Sequence, residues 1–304
     1  MARLSITGIR SIEVAVADLA RAAKFYTDIW RLTEVAQEGE TRYFRGKSGF
    51  HHILALTPAK GPQQVRRVSL NAHDRATVDA LYGKLSGGGI TCEKPHALKG
   101  PAGGYGFGFQ DHAGRCFAII CDANDHKDDA RVADRPYRIA HGNLNVTHQP
   151  AMNALLTELL GCRLVDNSGP QFFYHADSTD HSAIVLCKAP ADTLNHVAFE
   201  LPDLESVMRG SGRMIDAGYP IEWGVGRHGP GNNAFAYFAG PEEFPLEYTS
   251  DVEQIDETYE FHGPDFWKWP VGRLDHWGVT PPHTKRWHRI QNLVDFAKSG
   301  YALP

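Results

Sequence analysis

The chain has 304 residues, 42% of them apolar, enough for two ordinary domains or four small supersecondary units with cores of their own. Its net charge of -5 and pI near 6.3, with acidic and basic residues interspersed, supply neither a basic stripe for nucleic acid nor a polybasic membrane anchor. Five cysteines (Cys92, Cys116, Cys121, Cys162, Cys187) form no CxxC pair, the segment Met1 to Leu19 has no apolar signal core, and no window approaches the roughly 18 apolar residues of a membrane span, so the sequence predicts a cytoplasmic protein with reduced thiols.

In chain order, four segments repeat one pattern: a β-rich run, a polar turn, then an amphipathic helix. In the first, Ser11 to Trp30, Ile12, Val14 and Val16 alternate as a half-buried strand, while Leu19, Ala22, Ala23, Tyr26 and Trp30 recur at helical spacing. The others are "RRVSLNAHDRATVDALYGKL" from Arg66, "HGNLNVTHQPAMNALLTELLG" from His141 and "NHVAFELPDLESVMRGSGRMIDAG" from Asn195. Further strands follow each helix, as in "RYFRGKSGFHHILALTP" and "QFFYHADSTDHSAIVLCKA", two β runs around a polar turn. Near the end, "GRHGPGNNAFAYF" passes from a turn-rich loop at Gly226 to Asn233 into an alternating strand with Phe235 and Tyr237.

The register points to a duplication. Arg67 lies 56 residues after Ser11 and His196 lies 55 after His141, while Ile119 lies 52 after Arg67 and Glu247 lies 51 after His196. One unit leaves an open sheet face, so units must close in pairs. The expected fold is α+β: four βαβββ units paired into two barrel-like modules, plus a C-terminal tail. The expected boundaries are a module at 1–125, a charged linker at 126–137, a second module at 138–250 and a tail at 251–304. The tail holds four of the six tryptophans among prolines and basic residues, and reads either as a segment stapled to the surface or as a lid over a pocket.

At equivalent repeat positions the second half carries His141, His196 and Glu247, where the first half has Ser11, Arg67 and Ile119. Two imidazoles and a carboxylate are the ligand set of a facial triad on divalent iron, whereas arginine and isoleucine cannot ligate. Taken singly, a strand histidine is more often packed and hydrogen-bonded than metal-bound, and the glutamate could be a rim charge. Their conjunction at three repeat-defined places favours a metal.

The motifs "HGN" at His141, "DHSAIVL" at Asp180, "LNHVAFEL" at Leu194, "GRHGPGNNAFAYF" at Gly226 and "LEYTSD" at Leu246 resemble those of type I extradiol ring-cleaving dioxygenases of the vicinal oxygen chelate superfamily. The resemblance runs from about residue 8 to 250 and is closest to the homoprotocatechuate and metapyrocatechase branch. It implies Fe(II), with Mn(II) left open, an aromatic vicinal diol and O2 as substrates, and a homo-oligomer. His228 and Tyr237 would point at the diol, Asn143 would settle the oxygen side, and His181, fifteen residues before His196, would be the acid-base residue, with His175 in "FFYHAD" as the other candidate. Members that take carboxylated catechols place an arginine five residues before the "GRHG" histidine and another near the C-terminus. Here Trp223 and Leu274 stand at those places, which implies a neutral, more hydrophobic ring. Competing readings are a glyoxalase-like metal isomerase and a metal-free binding protein of the bleomycin-resistance type.

Overall fold

Each polar turn of the four repeated segments becomes a helix cap. The side chains of Asp18, Asp74, His148 and Asp203 accept hydrogen bonds from the backbone amides of Arg21, Thr77, Ala151 and Ser206, satisfying donors that a helix start leaves unpaired. In this computed structural model, which describes residues 4–304, the helix Leu19–Lys24 widens into a π turn at Phe25–Ile29, and Gln149–Ala154 does the same at Leu155–Leu159. The helical spacing in the sequence gives no sign of that widening. Its recurrence at the same place in both halves is a structural trace of the duplication.

The strands form a nine-stranded and an eight-stranded sheet with matching order. In the second, the strands lie edge to edge as Arg163–Asn167, Gln171–His175, Ile184–Lys188, Ile139–Val146, Leu194–Glu200, Pro245–Ser250, Ala234–Ala239 and Ile221–Arg227. In each sheet the opening strands of the two units pair antiparallel at the centre, Gly8–Val16 with Gln64–Asn71 and Ile139–Val146 with Leu194–Glu200. The expected pairing of four units into two modules is what the sheets show.

The modules share one apolar core. Ile9, Ile12, Val68 and Phe117 of the first sheet meet Ile139, Leu144, Ile184 and Val197 of the second. A Cβ on Gly142 would come within 2.9 Å of Ile9 Cδ1, so the glycine of "HGN" is set by sheet-to-sheet approach. The modules also interlock: Trp30, after the first helix, is fully buried against the fourth unit, stacked 3.8 Å from Tyr248 and edge-on to Phe199. Trp30→Ala is therefore expected to cost about 3–5 kcal/mol of stability. Chemical denaturation checks this, and a loss under about 1 kcal/mol would show that the two halves do not depend on that contact.

The tail is not a fifth unit. It contributes the helix Lys285–Ile290 and the short strand Asp295–Phe296, which pairs with Gln64 and Val65 of the first sheet. Arg67, which stands in the first module where His196 stands in the second, donates to the carbonyls of Gly300 and Ala302 and so holds the tail's end. Among the described residues no helix is long and apolar enough to cross a membrane, and none of the five cysteines is in a disulfide.

Candidate metal centre and active site

Strand parity explains the site. Ala198 lies opposite His141 on one neighbouring strand and Glu247 on the other, and His196 is two residues before Ala198, so the three side chains leave one face of the sheet. Ala198, small and fully buried, leaves the space between them. The same register adds Asn143, opposite His196; Tyr237, opposite Glu247; and Trp223, opposite Tyr237.

The three donor atoms form a small triangle: His141 Nε2 to His196 Nε2 is 3.3 Å, and Glu247 Oε2 lies 3.3 Å from the first and 3.1 Å from the second. Around an octahedral ion with bonds of about 2.1 Å, adjacent ligands sit about 3 Å apart and opposite ones about 4.2 Å. Three short edges exclude opposite positions and fit three neighbouring ligands of one ion beside the cavity. His196 Nδ1 donates to Asn195 Oδ1 at 2.8 Å, which leaves its Nε2 lone pair for a metal. Glu247 is completely buried; burial pushes its carboxyl up, yet His141 and His196 outweigh that and hold it well below the usual carboxylate range. Two imidazole nitrogens and a carboxylate oxygen converging on one point are a donor set that fits a divalent cation.

Beyond the ligands lies a cavity of about 360 Å³, walled by Asn143, Phe173, Ser182, Val185, Trp223, His228 and Tyr237 of the module and by Trp269, Leu274, His283 and Trp287 of the tail. His228 Nε2 and the Tyr237 hydroxyl share a hydrogen bond of 2.8 Å. Burial pushes His228 down to about 3 against the pull of Glu247, so its ring is neutral at pH 7. Burial, then the Glu247 charge, pushes the Tyr237 phenol well above its ordinary value. Trp223 stacks on Tyr237 at 5.2 Å and 15°, a cavity wall and a packing element at once. Among the described residues no Lys or Arg lines the cavity; Arg227 is spent on the Asn232 carbonyl and Asp251.

Of the residues singled out in the sequence, His141, His196, Glu247, Asn143, His228, Tyr237, Trp223 and Leu274 meet here, and His181 does not. Its ring is fully buried behind the wall, with Nε2 on Asp166 Oδ2 at 2.6 Å, and Ser182 takes the place on the cavity. The physical reason is the turn before the strand Ile184–Lys188. His181 N bonds to Glu253 O and Asp180 pairs with Gln254, so tail contacts set the direction of this stretch and strand parity does not extend back to it. His175 is also off the cavity, its Nδ1 on the Asp180 carbonyl at 2.7 Å. Not marked in the sequence are Asn195, which reaches His196 because a register shift falls between Leu194 and His196, and the tail residues Trp269, His283 and Trp287, which have no repeat position.

The sequence profile of the Glyoxalase/Bleomycin resistance protein/Dioxygenase superfamily matches residues 8–118 and 138–248. The chain is similar in structure to a Mn(II)-bound glyoxalase from Novosphingobium aromaticivorans, at 31% identity and a TM-score of 0.85 over 93% of this chain and 94% of that one. A homoprotocatechuate 2,3-dioxygenase from Arthrobacter globiformis shares the fold at a TM-score of 0.85 and 21% identity, covering 100% of this chain and 97% of the other. Metapyrocatechase 2 of Cupriavidus necator is 32% identical over 155 residues, which is 48% of this chain and 46% of that protein, so this match spans about half of each.

Proposed function

The chain belongs to the glyoxalase/bleomycin resistance protein/dioxygenase superfamily, and within it we propose an extradiol ring-cleaving dioxygenase that inserts both atoms of O2 into a neutral aromatic vicinal diol. The observation that carries this reading is the facial triangle of His141, His196 and Glu247 opening on an aromatic-walled cavity, since two diol oxygens and O2 need three adjacent positions. The chemistry a divalent iron supplies there is electron exchange between a spin-paired diol and triplet O2, and manganese fits the same donor set.

The chain's own residues supply placement and proton control. Trp223, Phe173, Val185 and Trp287 grip a flat ring and exclude water, and Tyr237 with neutral His228 offers a fixed hydrogen-bonding pair for a diol oxygen. Asn143 Oδ1, buried and without a partner among the described residues, aims a further polar atom at the site.

The cavity wall also sets the substrate class. With Trp223 and Leu274 where carboxylate-binding arginines are expected, alkyl, aryl or halogenated catechols are expected to exceed homoprotocatechuate or protocatechuate in kcat/KM by about ten- to hundredfold, the worth of a charged contact of roughly 1.5–3 kcal/mol. A panel of catechols offered to Fe(II)- or Mn(II)-loaded protein and watched for a yellow ring-fission product tests both parts; carboxylated catechols winning by tenfold would point to an unrecognised cation. The 31% identical Mn(II)-bound glyoxalase favours a second reading, non-oxidative isomerisation at the same metal. That reaction proceeds without O2, so oxygen consumption separates the two.

A further inference from the structure

We propose that Ser182, His181 and Asp166 form a proton store behind the cavity wall, with Ser182 as the group that meets the diol and His181 as the residue that holds its proton. The proposal rests on the ring-cleavage reading for its substrate. It stands on a hydrogen-bonded line running from the cavity into the protein. Ser182 lines the cavity; its Oγ is 3.3 Å from His181 Nδ1, and His181 Nε2 is 2.6 Å from Asp166 Oδ2. Both inner residues are completely buried.

The proton positions follow from the partners. A carboxylate only accepts, so Nε2 carries a hydrogen toward Asp166, and in the neutral ring Nδ1 is left to accept the Ser182 hydroxyl. Asp166 is fixed in that role by three further donors: the Tyr259 hydroxyl at 3.1 Å, His262 Nδ1 at 3.1 Å and the His262 amide at 3.3 Å. Tyr259 and His262 belong to the tail, so the segment that closes the cavity also holds the store's anion. Gly231, at φ +76°, lies close beside the Nδ1 edge of the ring: a Cβ there would be 3.2 Å from His181 Nδ1.

In the step, a diol hydroxyl gives its proton to Ser182 Oγ while Ser182 passes its own to His181 Nδ1. One proton moves from the diol to the ring, no electrons move, and the imidazolium formed faces the Asp166 carboxylate. The reverse step returns the proton to the oxygen that needs it during ring opening. A buried acid–imidazole pair carries a desolvation cost that an apolar pair of the same shape avoids, and here its outer partner, Ser182, lines the cavity.

Two measurements test this. Ser182→Ala and His181→Gln should each lower kcat about 10²-fold with metal content and KM little changed, the double variant should be no worse than either single one, and Ser182→Thr should recover most of the loss. Losses that multiply in the double variant, or full turnover by Ser182→Ala, overturn the store. Side-chain nitrogen NMR on the full chain loaded with zinc reads the line without turnover: Ser182→Ala should shift His181 Nδ1, and an unmoved Nδ1 signal also overturns it. If the parent protein turns over no diol, the ring-cleavage reading fails while the NMR result still decides the hydrogen-bonded line.

Discussion

Glu247→Ala is expected to abolish metal binding and turnover together. Its carboxylate is completely buried among donors that face one point, and removing one partner from such a buried charged cluster costs about 3–5 kcal/mol, or about 10²–10⁴-fold in metal affinity. His141→Ala should do the same, because each ligand holds one corner of the facial triangle. Parent protein loaded anaerobically should carry one Fe(II) or Mn(II) per chain, and metal at 100 times its Kd should add about 2.7 kcal/mol of stability that the variants lack. Elemental analysis and thermal unfolding with and without metal check both statements. Two equivalents per chain in the parent, or a full equivalent in Glu247→Ala, would contradict a single site confined to the second module.

Tyr237→Phe should keep the metal and lose about 10²–10³-fold in kcat/KM. Its hydroxyl meets the neutral His228 ring at 2.8 Å in a site where neither residue is charged near pH 7, so the pair presents one defined donor and one defined acceptor to an incoming oxygen. Fixed donors aimed at developing charge are worth that much in other active sites. The change also leaves His228 without its partner in a closed cavity, so His228→Phe should cost a similar amount and the double variant little more. Steady-state kinetics on variants of measured metal content gives the answer; a loss below about threefold would show that the pair packs the wall and does not hold the substrate.

Much of this was legible in the sequence because repeats and strand parity are local. His141 and His196 fall where Ser11 and Arg67 stand in the first half, whereas the register sets Glu247 against Ala118, one residue before the Ile119 that the spacing pointed to; period-two alternation puts the three on one face together with Tyr237 and Asn143. The fold class follows from the same offsets. What failed to show depends on contacts between distant segments. His181 is turned away by bonds from its own stretch to Glu253 and Gln254 of the tail, a contact with no sequence signature. Asn195 reaches His196 through a strand irregularity, and Trp287 comes to rest 4.7 Å from Tyr237 from a segment outside the repeat. Trp30, placed on a helix by its spacing, gives no hint that it seals the opposite module.

The central claim is that this cavity oxygenates a vicinal diol at a metal held by His141, His196 and Glu247. The most direct test supplies ¹⁸O2 to iron- or manganese-loaded protein with an alkyl or aryl catechol and weighs the product. The account predicts a yellow product that carries both labelled atoms and forms with one O2 consumed per ring opened, absent from Glu247→Ala. Binding of the diol without oxygen uptake, or a product with no label, would contradict it and leave the non-oxidative reading of the same metal centre.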